Sequence, residues 1–187
     1  MRATLSFLTT TSPVAADRAT ANTLTVEVLG WDRATRRIYL VERGGDAHAL
    51  LVMTTTGEHA GVVRPVAGDE ERIAALRATL VPLQRDDRRG WDVNTRVVQR
   101  RGLRVAGMTT PVRKFALGIA LTRRQAGHAI AHGRATVTAY LRPRAALDQV
   151  WTVPGEALAV AIVHYCGVPD GIGFDKQTAV LARPPLQ

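Results

Sequence analysis

Hydrophobic and polar residues alternate along several short stretches in the N-terminal half of the chain. In the first stretch, Leu24, Val26 and Val28 alternate with Thr25 and Glu27. A period of two residues is typical of a strand with one buried face. Similar stretches follow at 38–43, 48–54 and 62–66, separated by turn-forming residues at 30–35, 44–46 and 56–58. The pattern predicts a four-stranded β-meander.

The hydrophobic period changes from two residues to that of a helix after residue 68. Asp69 is a suitable N-cap, because its carboxylate can accept hydrogen bonds from the free N–H groups of the first turn. Ile73, Leu76 and Leu80 then recur at the spacing of one helix face, and Pro82 ends the pattern. We expect an amphipathic helix that packs on the meander.

Two further helices are predicted in the C-terminal half. The segment 123–132 follows Thr122, a possible N-cap, and stops before Gly133, a residue that often ends helices. It contains Gly127, so its intrinsic helix propensity is modest. A short final helix is expected after Asp175, which can cap it.

The remaining segments of the C-terminal half are predicted to be strands, at 93–99, 103–108, 112–121, 134–141, 149–153 and 158–165. Residues 100–102 form a predicted tight basic turn. The expected fold class is therefore α+β: a mostly antiparallel sheet of about seven to nine strands, with two main helices and a short C-terminal helix packed on it. Residues 1–22 are interpreted as an N-terminal arm or leading strand, and 23–187 as a single domain.

The length and composition favour a globular protein in a reducing compartment. The chain has 187 residues, of which 46% are hydrophobic and 22% charged. Cys166 is the only cysteine, so no intrachain disulfide can form, and we expect a cytoplasmic protein. The chain has no apolar run long enough for a membrane span, and the apolar run near its start is too short for a signal peptide. No membrane partner is expected.

The positive charge is concentrated in the middle of the chain. The formal net charge is +9, and residues 85–144 alone carry +11, against zero for residues 1–84 and −2 for residues 145–187. The basic residues are 23 Arg and two Lys. A high ratio of Arg to Lys can arise without any functional reason from the codon usage of a GC-rich bacterial genome. Codon bias spreads Arg evenly, however, so the uneven distribution favours a functional interpretation, namely contact with phosphate.

The basic segment supplies the candidate binding residues. We expect phosphate contacts first from Arg100, Arg101 and Arg104, which lie in a dense run of guanidinium groups. A second set flanks the predicted helix 123–132 or lies within it. This set consists of Arg113, Lys114, Arg123, Arg124 and Arg134. The alternative is that these side chains form an ordinary solvated surface, partly neutralised by nearby acids.

Four residues are candidate metal ligands. On a helix, His128 and His132 would be one turn apart on the same face, and His164 and Cys166 could complete a zinc site. The segment lacks the glutamate of a metalloprotease helix, and a polar helix face is the simpler interpretation. We therefore predict no metal and no cofactor.

The sequence supports three hypotheses about function. The first is a non-catalytic accessory protein that binds nucleic acid electrostatically, with little base specificity. The second is an enzyme that acts on a phosphorylated or nucleotide substrate through His128 and His132. The third is an interaction subunit whose Arg-rich face binds an acidic protein partner. No catalytic residue can be named.

Overall fold

The N-terminal half forms the expected meander, here called the N-terminal sheet. The computed structural model describes residues 24–44, 47–103, 112–140, 142–168 and 174–185. Strands β1 (Thr25–Asp32), β2 (Arg37–Gly44), β3 (Ala47–Thr54) and β4 (Val63–Val66) pair in chain order, all antiparallel. The alternation of residue types predicted these strands, and their existence is confirmed.

Helix α1 (Glu70–Thr79) is also confirmed, and it covers one face of the N-terminal sheet. The side chain of Asp69 accepts a hydrogen bond from the backbone N–H of Arg72, as an N-cap does. Ile73 is buried and packs with Val41 and Leu50 of β2 and β3. Because side chains alternate across a strand, the opposite face of this sheet presents another apolar set, including Ile38, Leu40 and Met53, to the rest of the protein.

The C-terminal half forms a seven-stranded antiparallel sheet, here called the C-terminal sheet. Its strands are β5 (Gln84–Arg85), β6 (Trp91–Leu103), β7 (Val112–Gln125), β8 (His128–Tyr140), β9 (Ala145–Thr152), β10 (Ala159–Val168) and β11 (Phe174–Arg183). Their order across the sheet is β5-β9-β10-β11-β8-β7-β6.

The C-terminal sheet curls, so that its first and last strands approach each other. The indole Nε1 of Trp91 in β6 donates to Asp86, just after β5, at 3.4 Å. The hydroxyl of Thr95 in β6 donates to the carbonyl of Pro143, just before β9, at 3.5 Å. The concave side encloses a second apolar cluster with contributions from β6 to β11, including Trp91 and Ile119.

Strands β9 to β11 lie between the two apolar clusters. In β10, Val160 and Ile162 face the N-terminal sheet, whereas Ala161 and Val163 face the concave side of the C-terminal sheet. A central strand covered on both faces is apolar throughout. The strand predicted at 158–165 is confirmed as β10.

The predicted α+β class, with two main helices and a short C-terminal helix, is wrong. Among the described residues α1 is the only helix, and the fold consists of two antiparallel sheets. The segment 123–132 is a β-hairpin rather than a helix. Ala126 and Gly127 have positive φ angles of 48° and 83°, as a two-residue turn between twisted strands requires. The hydrogen bonds of that turn and its long flanking strands outweigh the moderate helix propensity of its residues.

Two more local predictions are corrected. The final segment is strand β11, which pairs with β10 from Phe174 to Ala182 and is covered on both faces. Residues 100–102 are not a turn, because β6 continues through them to Leu103. The predicted arm at 1–22 lies outside the described residues, as does most of the predicted strand at 103–108.

Candidate nucleic-acid interface

Strands β6, β7 and β8 form the part of the C-terminal sheet with one open face. On β7, Phe115, Leu117, Ile119 and Leu121 are buried on the concave side, so the residues between them lie on the convex side. Residues directly opposite each other on paired strands share a face. The convex side of these three strands is here called the outer face. It is formed by Asn94, Arg96, Gln99, Arg101, Lys114, Ala116, Gly118, Ala120, Arg134, Thr136, Thr138 and Tyr140, with Asp92, Thr122 and His132 toward the β7–β8 hairpin.

Two cations of the outer face lie directly opposite each other. Arg101 of β6 pairs in register with Lys114 of β7. Like charges at opposing positions of a sheet repel each other, so this arrangement disfavours the free protein and favours a bound anion. The ammonium of Lys114 lies 5.9 Å from the centre of the Tyr140 ring. With the amide of Gln99 oriented so that its oxygen faces Arg101, this oxygen accepts from the Nε and Nη2 of Arg101 at 3.1 and 2.9 Å, which holds the guanidinium over the sheet.

These side chains surround a shallow hollow of about 230 Å³. Its lining combines the guanidinium of Arg101, the ammonium of Lys114, the amide of Gln99 and the hydroxyl of Thr138. All four groups can donate hydrogen bonds to oxygen. Such a set of donors with two positive charges is suited to a phosphate group.

Arg96 and Arg134 extend the positive charge along the outer face. Arg96 pairs with Gly118, which pairs with Thr136 on its other side, and Arg134 pairs with Ala120. The floor between the cations thus consists of small residues, and a backbone of phosphates and sugars can approach it closely. Within the described part of the chain, none of Arg96, Arg101, Lys114 and Arg134 forms an ion pair.

The three acidic residues of the segment 85–144 form ion pairs. These ion pairs lie at the end of β6 to β8 that is far from Arg101 and Lys114. Asp86 pairs with Arg123 at 3.3 Å, Asp87 with Arg89 at 3.2 Å, and Asp92 with Arg124 at 3.6 Å. Charge neutralisation is therefore local to the β7–β8 hairpin and the chain before β6. Four of the cations that these acids do not neutralise, Arg96, Arg101, Lys114 and Arg134, lie on the outer face.

The eight residues predicted to bind phosphate do not all lie on this face. Arg101, Lys114 and Arg134 do. Arg100 and Arg113 are neighbours of Arg101 and Lys114 in the chain and so fall on the opposite side of the strands. There the guanidinium of Arg100 lies 5.6 Å from the centre of the Phe115 ring.

Two of the remaining three residues form ion pairs instead. Arg123 lies 5.4 Å from the centre of the Trp91 ring in addition to pairing with Asp86, and Arg124 pairs with Asp92. Arg104 is outside the described residues. The sequence analysis did not include Arg96 in its binding set. Only the register of β6 shows that Arg96 shares a face with Arg101.

The four candidate metal ligands are dispersed by the strands. A strand rises about 3.3 Å per residue, so His128 and His132 lie about 13 Å apart along β8 rather than one helical turn apart. The pairs Arg124–Ala129 and Arg123–Ala131 leave Ile130 as an extra residue between the two histidines. His164 and Cys166 lie on β10, opposite Gln177 and Asp175. Over the described ranges, no three His, Cys, Asp or Glu side chains come together as a metal site.

Comparisons with known proteins identify no relative. No family model, no curated protein and no solved structure matches this chain. In the part of the chain that the structure describes, no helix has the length and apolarity that crossing a bilayer requires.

Proposed function

We propose that this protein binds nucleic acid through the outer face of β6, β7 and β8, without catalysing a reaction. The main support is the placement of Arg96, Arg101, Lys114 and Arg134 on one open face, where no ion pair with a described residue balances them. A polyanion that neutralises these charges releases its own condensed counterions, and this release favours binding.

The chemistry of the outer face favours contact with phosphates over recognition of bases. Sequence-tolerant binding of single strands normally uses exposed aromatic rings on which bases stack. On the described outer face, the aromatic ring is that of Tyr140, and the ammonium of Lys114 already covers it. The floor residues Ala116, Gly118 and Ala120 have no side chain that can form a hydrogen bond with a base edge. We therefore propose little base specificity.

The enzyme hypothesis required the imidazoles of His128 and His132 to converge with a third polar group. They lie apart on β8, and His164 is on β10. No observation on these residues supports catalysis in preference to binding. The outer face is therefore the basis of the proposal.

The test is the salt dependence of binding, measured by fluorescence anisotropy with labelled single- and double-stranded oligonucleotides of several sequences. The triple variant Arg96→Ala, Arg101→Ala, Lys114→Ala removes three of the proposed contacts. The slope of log K against log salt concentration is expected to fall by about two to three, since each contact contributes about 0.7 to 0.9. The loss of affinity should be similar for all sequences.

A matched control separates the outer face from net charge. The triple variant Arg33→Ala, Arg37→Ala, Arg72→Ala also lowers the net charge of +9 by three. These three residues are exposed, in the turn after β1, on β2 and on α1. Its salt slope should stay near that of the unmodified protein. Equal losses in the two variants, or no binding at low salt by the unmodified protein, would reject the proposal.

A further inference from the structure

The C-terminal sheet is split between β8 and β11. These strands pair at only two positions, Gly133 with Ala182 and His132 with Arg183. Beyond Gly133 the strands separate, and two adjoining cavities of about 620 and 500 Å³ lie at the separation. Both are lined by Ala60, Gly61 and Arg134. We refer to them together as the split cleft.

The edge of β11 presents backbone hydrogen-bonding groups to the split cleft. The N–H of Gln177 donates to the carbonyl of Leu24 at 3.0 Å, so this N–H points away from β10. Direction alternates along an antiparallel strand, and the N–H and C=O groups of Ala179 and the N–H of Leu181 therefore point the same way. No described strand pairs with these groups. Unpaired strand edges of this kind are sites where another chain can add a strand.

The side chains around the split cleft define two environments. Ala135 and Val180 belong to the apolar cluster on the concave side of the sheet. His132, Arg134 and Arg183 are exposed on the other side, where Ala60, Gly61, Ala179 and Leu181 also line the cavities. Among the described residues that line the two cavities, none is acidic. A strand placed between β8 and β11 would direct alternate side chains toward these two environments.

We propose that the split cleft binds an extended acidic segment of a partner protein as an added strand, with apolar and acidic residues in alternation. The apolar side chains would pack toward Ala135 and Val180, and the carboxylates would face Arg134, Arg183 and His132. A peptide supplies both N–H donors and C=O acceptors, which the open strand edges need, whereas a phosphodiester backbone supplies acceptors only. This inference does not rest on the proposed nucleic-acid interface.

The probe is a labelled peptide of about eight residues with a Glu-Val repeat and blocked ends, a length that suits one strand. Two control peptides test the two parts of the recognition. A Lys-Val repeat keeps the strand propensity and reverses the charge, and a Glu-Pro repeat keeps the charge and loses every second N–H. Fluorescence anisotropy should show binding of the Glu-Val peptide to the full chain, and at least about tenfold weaker binding of both controls.

Two variants locate the binding site. Ala60→Trp fills the split cleft, and it should weaken binding of the Glu-Val peptide about tenfold or more. Ala34→Trp adds the same bulk to an exposed turn and should have no effect. Arg183→Glu reverses one exposed charge without filling the cleft, so it tests the site even if Ala60→Trp fails to fold. It should weaken binding of the Glu-Val peptide and strengthen binding of the Lys-Val peptide, whereas Arg33→Glu should change neither.

Several results would overturn the inference. These are equal binding of the three peptides, unchanged binding of the Glu-Val peptide to Ala60→Trp and Arg183→Glu, or dimerisation of the chain that Ala60→Trp abolishes. The fourth is loss of oligonucleotide binding in Ala60→Trp without any peptide binding, which would assign the split cleft to nucleic acid. Failure of the outer-face variants to affect oligonucleotide binding concerns only the proposed function, because those residues are not substituted here.

Discussion

Replacing Gly133 by alanine should disrupt the two-residue pairing that joins β8 to β11. A Cβ atom at this position would lie 2.5 Å from the carbonyl oxygen of Leu181 and 3.0 Å from a methyl carbon of Val180. The first contact is with backbone, which cannot rotate away as a side chain can. Strands β8 and β11 must therefore move apart at the two residue pairs that join them, here called the seam.

The loss of stability follows from the backbone hydrogen bonds and the buried side chains at the seam. Loss of one or two backbone hydrogen bonds costs about 0.5–1.5 kcal/mol each. Val180 and Ala182 are almost completely buried, and partial exposure of their side chains adds about 1 kcal/mol. Alanine regains about 0.4–1 kcal/mol by restricting the unfolded chain. The free energy of unfolding should therefore fall by about 0.5–3.5 kcal/mol, of which the upper end is a large part of the typical stability of a domain.

Gly118 offers a matched control on the neighbouring strand. A Cβ atom there would lie 3.4 Å from a methyl carbon of Val98 and 3.5 Å from the carbonyl of Arg96, both ordinary contacts. Gly118→Ala should leave the free energy of unfolding unchanged or raise it by up to about 1 kcal/mol. Neither glycine has a positive φ, so backbone strain does not distinguish the two variants.

Urea unfolding followed by tryptophan fluorescence measures both variants, and amide hydrogen exchange at 180–183 reports on the seam. Exchange there should accelerate in Gly133→Ala and not in Gly118→Ala. If both variants have the same stability within about 0.5 kcal/mol, the close approach at Gly133 does not hold the sheet together and the reasoning is refuted.

Two further predictions concern titration and turn geometry. Burial, and secondarily the charge of Glu42, raise the pKa of Tyr165 from 10.0 to about 12. Between these values the unfolded chain loses a proton that the folded protein keeps, so the free energy of unfolding should fall with rising pH by about 1.4 kcal/mol per pH unit. Urea titrations at alkaline pH measure this dependence of the unfolding free energy on pH. Tyr165→Phe should remove it and Tyr39→Phe should not. Equal slopes in the unmodified protein and both variants would contradict the assignment to Tyr165. Ala126 has a positive φ before Gly127, and Ala126→Asn, which tolerates that conformation, should raise the unfolding free energy by about 0.5–1 kcal/mol. A thermal melt measures the change, with Ala126→Val as the opposing control; a lower melting temperature for the Asn variant would contradict the type of turn.

Local patterns predicted much of the N-terminal half. The period-two alternation located β1 to β4, and the cap at Asp69 together with the spacing of Ile73, Leu76 and Leu80 located α1. Helix α1 has one buried face, so its hydrophobic pattern contains the information about its structure. The N-terminal sheet is covered on both faces, and the turn-forming residues between its strands helped to locate them.

The helix prediction failed where that information is absent. Strand β11 is covered on both faces and shows no alternation, so the cap-like Asp175 dominated its interpretation. In the segment 123–132, the possible N-cap Thr122 and the possible stop at Gly133 suggested a helix. The competing signal was Gly127 between two strand-forming segments. The left-handed turn at 126–127 and the pairing of β7 with β8 decided the structure.

The sequence alone determined that the positive charge is concentrated in residues 85–144, because the count of Arg, Lys, Asp and Glu needs no structure. Only the tertiary structure decided which of these side chains share a face. Arg96 and Arg101 are separated by an odd number of positions and would face opposite sides of a regular strand. An extra residue at Val98, between the pairs Val97–Leu117 and Gln99–Ala116, places them on the same side. Register and bulges follow from pairing with distant strands, and no local pattern of residues contains them.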